Sequence, residues 1–330
     1  MRSRFAFITA IHFFALFLAG VLAVRSATAE PTSDVPAWLE AHVGYGDGQI
    51  APVVLQRARG LYLQKLGEGE VRNRCYFAMD ATRPNDTGGA AGRRFYIICE
   101  DAHAFRAIPA GHGGGLDLRG VADFANGRQC AKNFGNATGS DLTAGGAYVT
   151  AGMKTSFKGY YRAGGHSAAL IRSFIQFEGE GQTANARERE IGGHATVKLA
   201  GLCLMKNSGS PYADRDGYVP FGQLVDYSGG RSNGCTSWSP SDAAQIIAMV
   251  RNNPTTLYIY PGAADVNAVA RARAGGQSLS RTGLYWNALC LNEIRAPRFW
   301  SDESLGPLIA QFKRDHPPPP PRPLPICGAR

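Results

Sequence analysis

The stretch Arg94-Phe95-Tyr96-Ile97-Ile98-Cys99-Glu100-Asp101-Ala102-His103-Ala104-Phe105-Arg106-Ala107-Ile108 decides the class of fold. Aromatic and β-branched residues fill its first half, an acidic turn follows and a second apolar run closes it, which is the pattern of a β-hairpin. Gly146 to Thr150, Ala168 to Phe177, Ile191 to Leu204 and Thr256 to Tyr260 repeat the strand pattern between glycine or polar clusters. Short strands spaced in this way predict a mainly β chain with a few helices, α+β in class, its strands mostly antiparallel. One helix interrupts them. Ser239 is placed to cap it, Pro240 suits its first position, Asp242 falls in its first turn, and Ala243 to Val250 run on to the stop Asn252-Asn253-Pro254.

Outward from this centre the composition changes twice. Residues 30–92 read as a partly helical lead-in, with helical spacing over Val35 to His42 and Pro52 to Leu66. Beyond Gly262 lies an extension, 263–330, with helix-like Ala263 to Ala274 and Glu303 to Arg314. It ends in Pro317 to Pro321, an extended polyproline tract that cannot join a core. The tract reads as a recognition motif or as a rigid spacer returning Cys327 to a partner cysteine. At the other end, Arg2 and Arg4 precede an apolar run from Phe5 to Val24 and the small residues Ala27-Thr28-Ala29, the layout of a secretory signal cleaved after Ala29. The expected division is therefore 1–29 signal, 30–92 lead-in, 93–262 β-rich central domain and 263–330 extension. Such a chain is expected in the periplasm, without membrane insertion once the signal is removed.

The formal charge is +9. A basic surface suits a polyanionic partner, and export turns that expectation toward the cell envelope and away from nucleic acid. The seven cysteines would meet an oxidising compartment, and an odd count leaves at least one unpaired; spacing does not assign the pairs. No Cys-x-x-Cys or Cys/His cluster has zinc spacing, so neither metal nor cofactor is expected.

Arg231-Ser232-Asn233-Gly234-Cys235 places a thiol behind a glycine and four residues before Ser239, the predicted helix cap. A helix N-terminus so close favours a thiolate, and the amides of Gly234 and Cys235 are candidates to meet an oxyanion. A thiol nucleophile needs a base, and His194, in Ile191-Gly192-Gly193-His194, ends a strand-like segment upstream.

These motifs, taken in order, resemble the murein L,D-transpeptidase catalytic domain, in particular a bacterial subgroup with a glycine-cysteine motif. The resemblance covers roughly Arg94 to Gly262: His112-Gly113, Phe134-Gly135-Asn136 with Gly139-Ser140, Gly146-Ala147-Tyr148-Val149-Thr150 and His166-Ser167 come first. Asn185-Ala186-Arg187 with Arg189, Gly193-His194, Gly230 to Cys235 and the capped helix follow. The resemblance implies a β-sandwich or barrel-like catalytic domain in which Cys235 attacks a peptidoglycan stem peptide, forms a thioester and passes the acyl group to a second stem's amine. It implies His194 as base, Gly234 and Cys235 as the oxyanion hole and Ser232 as a supporting hydroxyl.

The chain departs from the family pattern at three places. Asn233 stands where the commonest motif has histidine. Thr236 replaces the arginine often found after the cysteine, so that carboxylate binding is expected to pass to Arg231. Leu204 to Tyr227 looks like an insertion and a candidate lid. Arg231, Asn233, His112 and His166 complete the expected substrate-binding set. Hydrolysis by the same cysteine, as in an L,D-carboxypeptidase, and a catalytically silent wall-binding protein are the alternatives. The sequence says nothing of oligomeric state.

Overall fold

The computed structural model describes residues 35–85, 91–227 and 231–328; the expected signal over 1–29 and Gly230 of the cysteine motif lie outside them. In chain order the elements are α1 (Ala37–Glu40), α2 (Pro52–Gly67), β1 (Tyr76–Asp80), β2 (Arg93–Cys99), β3 (Ala104–Pro109), β4 (His112–Gly113) and β5 (Asn133–Gly135). The long pair β6 (Gly146–Ala163) and β7 (His166–Gly179) is followed by β8 (Gly192–Ala195), β9 (Val197–Lys206), β10 (Tyr218–Asp226), β11 (Arg231–Ser232) and β12 (Thr236–Trp238). Then come α3 (Pro240–Val250), β13 (Thr256–Tyr260), α4 (Ala263–Ala274), α5 (Ala288–Ile294), β14 (Arg298–Trp300) and α6 (Asp302–Asp315).

A ten-stranded mixed sheet in the order β12-β8-β7-β6-β13-β1-β2-β3, with β9 and β10 joined through β6, dominates the architecture. Most neighbours are antiparallel, but β1–β13, β8–β12 and β6–β10 run parallel. The fold is mixed α and β, consistent with the expected α+β class, and the large sheet does not close into a barrel. Its two edges meet through one bridge, Gly111 to Ser237, instead of a ladder. The physical reason lies just past β3: the chain leaves the sheet at Pro109, which cannot donate a ladder hydrogen bond, and enters the glycine-rich His112-Gly113-Gly114-Gly115 turn.

The main core gathers Phe77, Phe95 and Ile97 from β1 and β2, Ile175 and Phe177 from β7, Trp238 from β12, and Ile246 and Val250 from α3. Strand β1 is buried at all five positions, so it lacks the alternation that marks a half-exposed strand. Helix α3 follows the expected chemistry: the Ser239 hydroxyl accepts from the Asp242 N–H at 3.1 Å, Pro240 opens the helix, and Ala243, Ile246, Ile247 and Val250 form its buried face.

Residues 36–330 form one compact unit, which spans the boundaries expected at 92/93 and 262/263. Strand β1, from the lead-in, lies between β13 and β2. Strand β14, from the extension, pairs in parallel with β5. Helix α6 adds Leu305 and Ile309 to a second core with Leu118, Phe124, Leu142 and Trp300. The expected single strand Ile191 to Leu204 is two, β8 and β9, separated at Thr196, whose hydroxyl donates to Asp226 at 2.9 Å. The apparent insertion is the second half of a ribbon in which β10 pairs antiparallel with β9.

Three disulfides join Cys75–Cys99, Cys130–Cys290 and Cys203–Cys327. The proline tract is a spacer: the Leu204 N–H donates to Pro325 O at 2.7 Å and the Cys327 N–H to Leu204 O at 2.9 Å, laying the C-terminal segment along β9. Among the described residues no helix is long and apolar enough to cross a membrane. The disulfides are compatible with an extracellular or periplasmic protein.

Candidate active site

Cys235 is the one free cysteine of the seven and is partly exposed. Its position follows from the β8–β12 ladder, in which Gly193 faces Thr236 and His194 faces Ser237. One step back, Cys235 comes level with Gly192, whose backbone N–H reaches the sulfur. Because side chains alternate along a strand, the thiol and the His194 ring leave the same face of the sheet, one diagonal step apart. The two glycines before His194 permit this approach. A Cβ on Gly193 would lie 2.1 Å from the Trp238 ring, and one on Gly192 would lie 2.1 Å from Ile175 O.

The turn that carries the thiol is equally constrained. Gly234 has φ +98°, and a Cβ there would meet Ile191 Cδ1 at 2.9 Å and Leu142 O at 3.0 Å; both the left-handed backbone and the space demand glycine. The Ser232 hydroxyl donates to the Cys235 carbonyl, which closes the turn. Among the described residues neither the Gly234 nor the Cys235 N–H donates a backbone hydrogen bond. Two adjacent unused donors beside a thiol are the raw material of an oxyanion pocket.

Burial pushes the Cys235 thiol up, opposed by the Gly192 N–H and by the guanidinium groups of Arg172 and Arg189. In this state the thiol donates to Glu190 O at 3.5 Å. Burial also lowers His194 to about 4, so the ring is a neutral imidazole at neutral pH, the form a general base requires. Its Nδ1 lies 3.0 Å from Ala195 O and 2.6 Å from Arg172 Nη2. Nε2 is the ring nitrogen left without a hydrogen bond among the described residues. The Arg172 guanidinium also donates to the Tyr227 hydroxyl at 3.1 Å.

Arg189 supports the site from the other side. Its Nη2 donates to Leu142 O at 2.8 Å and sits 3.7 Å from where a Cβ on Gly234 would be. Its Nε and Nη1 are buried without a hydrogen-bond partner among the described residues, and the carboxylates of Asp302 and Asp141 act on its charge.

The expected site residues do not all converge. Cys235, Gly234 and Ser232 share one turn, with Asn233 exposed on it, and His194 lies on β8, the strand paired with β12. Arg231, expected to receive a carboxylate, instead donates through Nη2 to Asn126 O at 2.6 Å, fastening β11 to the loop after β4. His112 is 1% exposed, with Nδ1 3.1 Å from Gly113 O, and burial lowers it to about 3; it is a packing residue beneath β11 and not part of a cleft wall. His166 sits at the exposed tip of the β6–β7 hairpin. Eight residues separate it from Phe174, the partner of His194, or roughly 26 Å of strand. The helix N-terminus is also displaced. Strand β12 intervenes, and the four extended steps from Cys235 to Ser239 cover about 13 Å, beyond the reach of the first-turn dipole. Arg172 and Arg189 take its place as the positive groups that act on the sulfur. No metal-ligating cluster of His, Cys, Asp or Glu occurs among the described residues.

Comparison with known families, curated proteins and solved structures finds no match for this chain. The site is therefore read from its own chemistry.

Proposed function

We propose that the protein is a periplasmic cysteine acyltransferase of L,D-transpeptidase type, acting on peptidoglycan stem peptides through a thioester on Cys235. The observation that carries this reading is the state of Cys235: six cysteines are oxidised in pairs, and the one left reduced stands beside the strand that bears a neutral histidine. A structural thiol has no need of two unused amides, a buried imidazole and two guanidinium groups around it.

In this mechanism His194 Nε2 takes the thiol proton and the sulfur attacks the peptide carbonyl carbon. The negative charge that develops on the oxygen faces the Gly234 and Cys235 N–H groups. Collapse of the adduct breaks the C–N bond; the departing amine of the terminal D-amino acid takes the proton back from the imidazolium, and the acyl group stays on sulfur. A stem-peptide amine then attacks the thioester, the imidazole carries its proton to the sulfur, and an amide and the free thiol are regenerated. Water as acceptor gives hydrolysis with the same residues, so the ratio of crosslinked to trimmed product measures which acceptor prevails.

The test uses the chain without residues 1–29, incubated with disaccharide-tetrapeptide muropeptides. The expected result is release of the terminal amino acid and an intact-mass adduct located on Cys235, both lost in Cys235→Ala. Equal products from wild type and Cys235→Ala would refute the proposal. Muropeptide binding without any adduct would favour a silent wall-binding protein.

A further inference from the structure

The two contacts of His194 Nδ1 exclude one another chemically. Guanidinium nitrogens only donate, so the 2.6 Å contact with Arg172 requires a lone pair on Nδ1. The 3.0 Å contact with Ala195 O requires a proton there. A neutral imidazole has one proton and one lone pair. While Arg172 is on Nδ1 the ring proton belongs to Nε2, and neither nitrogen is free to take the thiol proton. When Arg172 leaves, Nδ1–H donates to Ala195 O and Nε2 offers its lone pair.

Arg172 is well placed to leave. Its guanidinium is half-buried, has no carboxylate partner among the described residues, and is held only by one ring nitrogen and one phenol oxygen. A carboxylate matches the guanidinium fork with two charge-assisted hydrogen bonds and outcompetes both neutral acceptors.

We propose that Arg172 is the receptor for the terminal α-carboxylate of the acyl donor, and that carboxylate binding draws it off His194 and so readies the base. This inference rests on the reading of Cys235 as nucleophile. It names the substrate class as peptides with a free C-terminal carboxylate one residue beyond the scissile carbonyl, a span of about 3.3–3.6 Å. It also supplies the carboxylate site that Thr236 and Arg231 do not provide. The release step is proton-neutral: Nε2 gives its proton to water, and Nδ1 takes one from water.

The experiment follows Cys235 alkylation by iodoacetamide at fixed pH, with no turnover required. In wild type, N-acetyl-D-alanine accelerates labelling roughly tenfold, the effect of one unit of thiol acidity, whereas N-acetyl-D-alaninamide has no effect. Arg172→Ala responds to neither, and its His194 ring ¹⁵N shifts report the Nδ1–H tautomer. Should Arg172→Ala fail to fold, Arg172→Gln, which retains most of the side-chain stem, replaces it. Equal responses to acid and amide, protection in place of acceleration, or a response retained in Arg172→Ala would overturn the inference. Acid-selective acceleration in a protein that leaves muropeptides untouched would leave it standing and remove only the wall substrate.

Discussion

Two histidines held neutral by burial give the molecule a defined response to acid. His112 and His194 are lowered to about 3 and about 4, whereas in an unfolded chain each takes up its proton near the ordinary value of about 6.5. Between these limits the unfolded state binds more protons, so stability is intact above about pH 6.5 and falls as the pH drops toward 4. Each ring contributes up to about 1.4 kcal/mol per pH unit within its window. The thermal midpoint should be level above pH 7 and decline below pH 6.5, and His112→Asn should flatten the decline; an unchanged midpoint down to pH 4 would contradict this assignment. The sequence singled out Cys235 and His194 because an odd thiol and an upstream histidine are patterns of residue type; the structure leaves Cys235 as the free thiol and sets His194 on the adjacent strand. It concealed Arg172, since a charged residue within Ala168 to Phe177 looks like any solvent-facing strand position until β8 is laid beside β7. Arg231, adjacent to the thiol in the chain, is spent on a loop carbonyl. Adjacency in sequence was a poor guide to which guanidinium lies near the sulfur.

At the scale of elements, β12 decouples the thiol from the helix that follows it. Ser239→Ala removes the cap of α3 and should cost about 1 kcal/mol of stability, read as a lower denaturation midpoint. It should leave the alkylation rate of Cys235 unchanged; a slower rate would restore the helix N-terminus to the site. The strands that were legible, such as β2, β3 and β13, carry runs of aromatic and β-branched residues between turn signals. Strand β1 was not, because Tyr76-Phe77-Ala78-Met79-Asp80 is buried on both faces and reads as a continuation of the preceding helical segment. Strand β10 was masked by Pro220 and Gly222, residues that argue against a strand in sequence terms. Gly222 sits where β9 and β10 slip register, between Phe221 and Gln223, and Pro220 pairs in register with Leu204 just before it.

Residues 36–330 are one compact unit in which the flanks hold up the centre. Removing residues 263–330 would strip β14 from β5 and Leu305 and Ile309 from the core that holds Leu142, the residue whose carbonyl anchors Arg189 behind the thiol. A chain of residues 36–330 should therefore melt in a single transition, whereas residues 93–262 alone should show no cooperative melt by calorimetry. A folded, thiol-reactive 93–262 fragment would restore the boundaries drawn from composition. The disulfide map has a consequence for how such a molecule comes to exist. Cys130 joins Cys290 and Cys203 joins Cys327, so the two covalent loops interlock, and Cys235 lies inside both. A polypeptide oxidised as it emerges, N-terminus first, would offer Cys203 the wrong mate, Cys235, well before Cys327 arrives. Any Cys203–Cys235 bond formed in that interval has to be undone by thiol–disulfide exchange before Cys203 can take Cys327, so Cys235 is a competitor for Cys203 during assembly.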